Sequence, residues 1–156
     1  MITNTKDFIP VRKKISDDGK KLVFTNGCFD IIHRGHITYL NEAKNLGDFL
    51  IIGLNTDNSV KRLKGEGRPI NNQNDRAIVI DNLKAVDFII FFEEDTPYNL
   101  ISEIRPDVLV KGGDWKEEEI VGSDIVKSYG GKVISLKYID NYSTTNLLKK
   151  ISQDRK

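Results

Sequence analysis

Residues 24–36 read Phe-Thr-Asn-Gly-Cys-Phe-Asp-Ile-Ile-His-Arg-Gly-His. The apolar run Leu22-Val23-Phe24 leads into this stretch and a helical pattern follows it, so it marks the point where a strand hands over to a helix. Free backbone N–H groups and the positive end of the helix dipole gather at such a junction, and anions bind there. His33 and His36 stand three residues apart in the first helical turn, so both rings can face one anion. Gly35 removes a side chain between them and lets a phosphate approach the backbone. A lone histidine here reads more simply as a cap or a packed ring. The pair around a glycine points to an enzyme that handles a nucleoside triphosphate.

Outward from this stretch, strand-like and helix-like segments alternate. Residues 21–25, 49–54, 87–92, 107–111 and 132–136 are short, apolar and rich in β-branched or aromatic residues, which predicts five strands. Over 35–46, Ile37, Leu40, Ala43 and Leu46 recur at helical steps before Gly47 stops the pattern. Ala77, Ile80 and Leu83 mark a helix over 74–85, and Pro97 after Thr96 opens one over 97–104. A last helix starts near Ser143, with Leu147, Leu148 and Ile151 toward the core. An N-terminal helix around 10–17, bounded within about 6–18, ends at Gly19. No repeat or linker interrupts the chain, so residues 1–156 read as a single domain with its core over about 20–152. The expected fold is α/β: a three-layer Rossmann-like sandwich around a five-stranded parallel sheet.

Composition narrows the class. The 156 residues suffice for one sizeable core, burying roughly 70% of the surface of the unfolded chain. A formal net charge of +1 gives no field that favours nucleic acid or a membrane surface. The single cysteine rules out an intrachain disulfide and fits a reducing compartment. No secretory pattern opens the chain, and no apolar stretch approaches the roughly 20 residues that span a bilayer. A cytoplasmic protein is expected.

In a parallel sheet, ligands bind beyond the carboxyl ends of the strands. Four polar clusters follow strands and converge on that rim: His33 with His36; Asn55-Thr56-Asp57; Lys111-Gly112-Gly113-Asp114-Trp115; and Ser143-Thr144-Thr145. The glycines of the third bring backbone amides close to a base or a phosphate, although a tight turn explains adjacent glycines as well. The fourth is an N-cap by its residue types, and the same hydroxyls and free amides suit a phosphate. The basic, glycine-spaced segment Lys61-Arg62-Leu63-Lys64-Gly65-Glu66-Gly67-Arg68-Pro69 reads as a lid that delivers Lys61 to a triphosphate, or else as a solvated face. Zinc held by Cys28, Asp30, His33 and His36 competes with the anion reading. A structural zinc site wants four ligands, and this set offers few soft ones. No metal-ligating set is therefore assigned. The chain has no P-loop, no Gly-x-Gly-x-x-Gly fingerprint and no Gly-x-Ser-x-Gly elbow, which disfavours P-loop kinases, Rossmann dehydrogenases and α/β-hydrolases.

Taken together, His33-x-Gly35-His36 after the first of these strands and the Ser/Thr-rich turn before the last helix resemble the cytidylyltransferase-like nucleotidyltransferases. Residues 25–30, 60–65 with 68–71, 110–114 and 143–146 resemble more closely the adenylyltransferase domain of the bacterial heptose-phosphate enzymes. That resemblance implies transfer of AMP from ATP to D-glycero-β-D-manno-heptose 1-phosphate, with Mg²⁺ accompanying the ATP and a homodimer as the working form. It implies His33, His36 and Lys61 as catalytic residues. It also implies Thr25, Asn26, Gly27, Cys28, Phe29, Gly35, Lys111, Gly112, Gly113, Asp114, Ser143, Thr144 and Thr145 at the nucleotide. Asp30, Asn55, Arg68 and Arg76 fall to the sugar phosphate. Two departures stand out: Trp115 replaces a more usual tyrosine, and the helix after Thr145 carries Lys149 and Lys150 rather than arginine. Two readings stay beside this one: cytidylyl transfer to glycerol 3-phosphate or a related small phosphate ester, and a nucleotide-binding module without catalysis.

Overall fold

The computed structural model describes residues 1–137 together with Thr144 and Leu148. The expected last helix falls mostly outside the described residues, and so do Ser143 and Thr145. The elements run β1 (Ile2–Thr3), α1 (Thr5–Asp17), β2 (Leu22–Gly27), α2 (Arg34–Lys44), β3 (Phe49–Asn55), α3 (Asp57–Lys64), α4 (Gln73–Asp81), β4 (Phe88–Phe92), α5 (Tyr98–Ile104), β5 (Val108–Gly112), α6 (Ser123–Ser128) and β6 (Lys132–Leu136). The strands form one sheet in the order β1-β4-β3-β2-β5-β6, and every pairing among them is parallel.

The expectation of five strands is therefore corrected to six. The addition is β1, whose two residues pair as Ile2↔Ile89 and Thr3↔Ile90. Two residues are too few to show any alternation of side chains, so no periodicity signals this strand. Backbone contacts define it instead. The amino group of Met1 donates to the carbonyl of Asp87 at 2.7 Å and forms an ion pair with Asp81.

Both faces of the sheet are covered, as a parallel sheet requires. Successive residues of β2 enter opposite layers. Leu22 and Phe24 pack with Phe8, Ile101, Ile104 and Val126 beneath α1, α5 and α6. Val23 packs with Tyr39, Leu40, Ala77 and Ile80 beneath α2 and α4. Burying each such side chain contributes about 1.5–3 kcal/mol. Gly53 in β3 is glycine because a Cβ there would lie 2.8 Å from Cζ of Phe24.

The segment expected to be a lid divides at Gly65. Residues through Lys64 complete α3, which Thr56 caps by accepting the Ser59 N–H at 3.4 Å. Gly65 ends the helix at φ 92°, a backbone conformation that suits glycine. The loop proper runs from Gly65 to the cap of α4, where Asn72 accepts the N–H groups of Asn74 and Asp75. The chain turns from β2 toward β3 and β4 on one side, while β5 and β6 lie on the other. The switch point therefore lies between the carboxyl ends of β2 and β5, where the crevice of such a sheet opens.

Candidate active site

The loop after β2 is shaped by Phe29, which sits at φ 45°. This left-handed turn lays its ring against Gly27, where a Cβ would come within 2.9 Å of Cε2. The same ring lies 5.4 Å from that of His36. His33 is the extended N-cap residue of α2, with Gly35 the second residue of the helix. The rings of His33 and His36 stack with centroids 3.9 Å apart at 32°. The backbone N–H of His33 donates to Nδ1 of His36 at 3.4 Å. With Nδ1 accepting, the neutral His36 ring carries its proton on Nε2. Burial, reinforced by the neighbouring His33, lowers the His36 pKa to about 4. Burial also pushes His33 below its ordinary value.

A crevice of about 560 Å³ opens at the switch point. Its floor is the end of β2, Asn26 and Gly27, continued by Cys28, Phe29 and Asp30 and flanked by His36. Lys111 and Gly112 of β5 and Trp115 beyond it form one side. Asn55 from the end of β3, Lys64 from the last turn of α3, and Arg68 contribute from the other helical layer. Thr144 also reaches the wall and donates to the Ile31 carbonyl at 3.4 Å.

Several of these residues are fixed by bonds of their own. Lys111 donates to Oδ1 of Asn26 at 3.3 Å, and burial lowers its pKa, with Lys64 adding to the effect and Cys28 opposing it. Asn55 donates to Ser59 at 2.9 Å. Burial raises the Cys28 thiol, which lies 3.9 Å from Oδ1 of Asn55. The buried carboxylate of Asp30 accepts from Arg68 Nε at 2.8 Å and from the backbone N–H groups of Ile70 and Asn71. Asp30 thus ties the loop before the histidines to the loop after α3.

Other expected residues lie behind the wall. Thr25 is fully buried, with its hydroxyl 2.5 Å from that of Tyr39. Arg76 is buried as well and donates to the Cys28 carbonyl at 2.6 Å, the Asn71 carbonyl at 3.1 Å and Asp57 at 2.8 Å. Both shape the crevice from beneath. Lys61 is exposed and pairs with Glu66 at 3.2 Å, away from the wall. Gly113 and Asp114 sit in the turn that begins after Gly112, where the Gly113 N–H donates to Leu136 at 2.8 Å. Sequence reasoning missed Lys64, the stretch Asp95-Thr96-Pro97, and Ile120 with Val121, all of which line the crevice. Lys64 was within reach of a helical reading, being the fourth residue after Val60 on the same face.

Among the described residues no three His, Cys, Asp or Glu side chains gather so as to hold a metal ion. Cys28, Asp30, His33 and His36 form no such set, since Asp30 is committed to Arg68 and the loop amides. No described helix is long and apolar enough to cross a membrane.

A parallel sheet with a histidine-bearing helix N-terminus and lysines beside its switch point is an α/β arrangement suited to an anionic ligand. The cytidylyltransferase-like family model matches residues 24–150, and the chain belongs to that family. The chain is 51% identical over 157 residues to the bifunctional protein HldE of Aliarcobacter butzleri, covering 99% of this chain and 32% of that protein. It is 58% identical over 132 residues to the bifunctional protein HldE of Campylobacter concisus, covering 85% of this chain and 27% of that one. The chain thus spans about a third or less of the length of these relatives. The crystal structure of a lipopolysaccharide core biosynthesis protein from Thermoplasma volcanium is 34% identical, with a TM-score of 0.64 over 80% of this chain and all 100% of that one. A pantoate-beta-alanine ligase from Francisella tularensis shares the fold alone, at 18% identity and a TM-score of 0.61 over 99% of this chain and 77% of that one.

Proposed function

We propose that the chain transfers AMP from ATP to D-glycero-β-D-manno-heptose 1-phosphate, giving ADP-heptose and pyrophosphate for lipopolysaccharide core or surface-glycan synthesis. The observation that carries this reading is a neutral His36, fixed through Nδ1, on the wall of a crevice that also receives Lys64, Arg68 and Lys111. The resemblance to HldE proteins supplies the choice of base and sugar.

The attacking group is an oxygen of the sugar phosphate. A phosphate monoester has a second pKa of about 6, so near neutral pH it is already largely dianionic and needs no general base. The obstacle is repulsion between two anions. Catalysis therefore rests on positioning and on charge placed in advance along the line of displacement. Lys64, Arg68 and Lys111 supply positive charge, and Nε2–H of His36 supplies a hydrogen bond to a phosphate oxygen. His33 holds His36 in orientation through its backbone N–H. Mg²⁺ enters as part of the ATP substrate. Asn26, Gly27, Cys28, Phe29 and Thr144 border the nucleotide, with Ser143 and Thr145 as further contacts to its phosphates. The chain acts in the cytoplasm as a homodimer.

The test is pyrophosphate release from ATP, CTP, GTP and UTP against a panel of sugar 1-phosphates and glycerol 3-phosphate, with the product identified by mass spectrometry. ADP-heptose is the expected product, and His36→Ala lowers its formation at least ~10²-fold. Faster turnover of CTP with glycerol 3-phosphate would replace this reading, and ATP binding without pyrophosphate release from any pairing would reduce the chain to a binding module.

A further inference from the structure

Three carboxylates line the crevice, Asp30, Asp95 and Glu119; Asp30 is committed to Arg68 and the loop amides, and of the other two Asp95 is the one that a neighbouring side chain holds in place. Asp95, in the loop between β4 and α5, lines it together with Thr96. A carboxylate only accepts hydrogen bonds, and beside a phosphate it repels. Its place therefore marks where the uncharged, hydroxyl-bearing part of a ligand lies.

Asp95 is held from behind. Arg62 donates through Nε to Oδ1 of Asp95 at 2.8 Å, through Nη1 to Oε1 of Glu93 at 3.1 Å, and through Nη2 to the Glu93 carbonyl. Ser59 donates to the Glu94 carbonyl at 3.0 Å, and Thr56 donates to Oε2 of Glu93 at 2.5 Å. Five bonds thus fasten residues 93–95 to α3 and its cap. The last turn of that same helix brings Lys64 to the crevice, whereas Arg62, Glu93 and Glu94 stay off its wall. The same helix thus carries a cation to the crevice and braces the loop that presents an acceptor for hydroxyls. A molecule with an anionic end and a polyhydroxylated end matches that pair. Beyond β5, the flat ring of Trp115 suits a base instead.

Resting on the proposed reaction, we infer that Asp95 is a specificity-determining residue that accepts hydrogen bonds from hydroxyls of the acceptor sugar, with Lys64 taking the phosphate of the same molecule. The ribose of the nucleotide offers the same diol chemistry and is the alternative that the test separates.

The experiment measures KM and kcat for sugar phosphate and for ATP in wild type, Asp95→Ala, Asp95→Asn and Glu93→Gln. Monodeoxy sugar 1-phosphates and 2′-deoxy-ATP are run as paired substrates. A hydrogen bond to a charged acceptor predicts about a tenfold rise in sugar-phosphate KM for Asp95→Ala, with the ATP KM unchanged. It also predicts that one monodeoxy sugar is penalised in wild type and that this penalty disappears in the variant, which a merely structural role would not produce. Glu93→Gln weakens the same loop anchor away from the wall and should leave the deoxy-sugar penalty intact. Equal effects of Glu93→Gln and Asp95→Ala, or an unchanged penalty in Asp95→Ala, would overturn the inference. A penalty abolished for 2′-deoxy-ATP instead would assign Asp95 to the ribose and overturn it too. If wild type prefers another sugar 1-phosphate, the heptose assignment fails while the Asp95 comparison is decided on that sugar. If it turns over no sugar phosphate, both fall.

Discussion

The backbone N–H of His33 points at Nδ1 of His36, 3.4 Å away, and the two rings stack at 3.9 Å. Burial disfavours the charged form of His36, and the neighbouring His33 ring adds to the effect. The pKa falls accordingly, from an ordinary value near 6.5 to about 4. Because the folded value is the lower one, the unfolded chain binds more protons between these limits, and stability rises with pH there. The stability is present above about pH 6.5 and is lost as pH falls toward about 4. His33, lowered by burial, adds to the same slope. Thermal melts across this window should show Tm falling with acid, and His36→Gln should show a shallower fall. Equal slopes in both proteins would place the acid sensitivity elsewhere. Catalysis should show no loss from His36 protonation at or above neutrality.

Lys64 and Lys61 stand three residues apart on the same helix, yet their side chains end in different places. Lys64 lines the crevice, whereas Lys61 is exposed and pairs with Glu66 at 3.2 Å. Lys61 stands off the crevice wall and its exposed charge is paired and screened, so Lys61→Ala should change kcat/KM by no more than about threefold. Lys64→Ala removes charge that faces the phosphates and should cost about 10²-fold, with a normal thermal melt. The reverse order would return the catalytic role to Lys61, where the sequence alone had put it.

That contrast shows what the sequence could carry. The strand at Phe49–Asn55 was legible because its unbroken apolar run Phe49-Leu50-Ile51-Ile52 has one economical interpretation in a sheet covered on both faces. The histidine pair was legible because residue type, spacing and the strand-to-helix junction agree. Helix α3 was not, since its exposed basic residues mask a short buried stripe, Ser59 and Val60. Without that helix, nothing ranks Lys64 above Lys61. Asp30 and Arg76 illustrate a second limit. Charged residues near a phosphate motif suggest substrate contacts, but partners distant in sequence bind them: Arg68 and the amides of residues 70 and 71 in one case, Asp57 and two carbonyls in the other. Asp95 left no local mark at all, because its position depends on how the loop after β4 meets α3.

Asp30 offers a stability test. Its side chain is 1% exposed and receives Arg68 and two loop amides. Asp30→Ala would leave that guanidinium and both N–H groups without their acceptor, in a place water reaches poorly. Removing one partner of a buried pair costs about 3 kcal/mol or more. Denaturant unfolding should register a loss of that order, and Asp30→Asn, which keeps one acceptor oxygen, should lose less. A change below about 1 kcal/mol in Asp30→Ala would mean that the two loops are held together by other contacts.

Trp115 provides a direct view of nucleotide binding, because it is the single tryptophan of the chain and lines the crevice while 49% exposed. Its indole N–H donates to the Gly112 carbonyl at 3.1 Å, and its backbone N–H donates to the Ser135 hydroxyl at 3.2 Å. The ring is therefore fixed in orientation with water over part of its surface. A base settling against it would displace that water and change the environment of the indole. Titration with Mg·ATP should shift the emission to shorter wavelength and alter its intensity in a saturable way, whereas sugar phosphate alone should have little effect. Lys111→Ala, on the nucleotide side of the crevice, should weaken the apparent affinity while preserving the full amplitude, since the phosphate contact and the base contact are separate. Saturable binding by calorimetry with an unchanged emission spectrum would place the base away from Trp115. The division of the crevice into a base side beyond β5 and a sugar side at α3 would then have to be reversed.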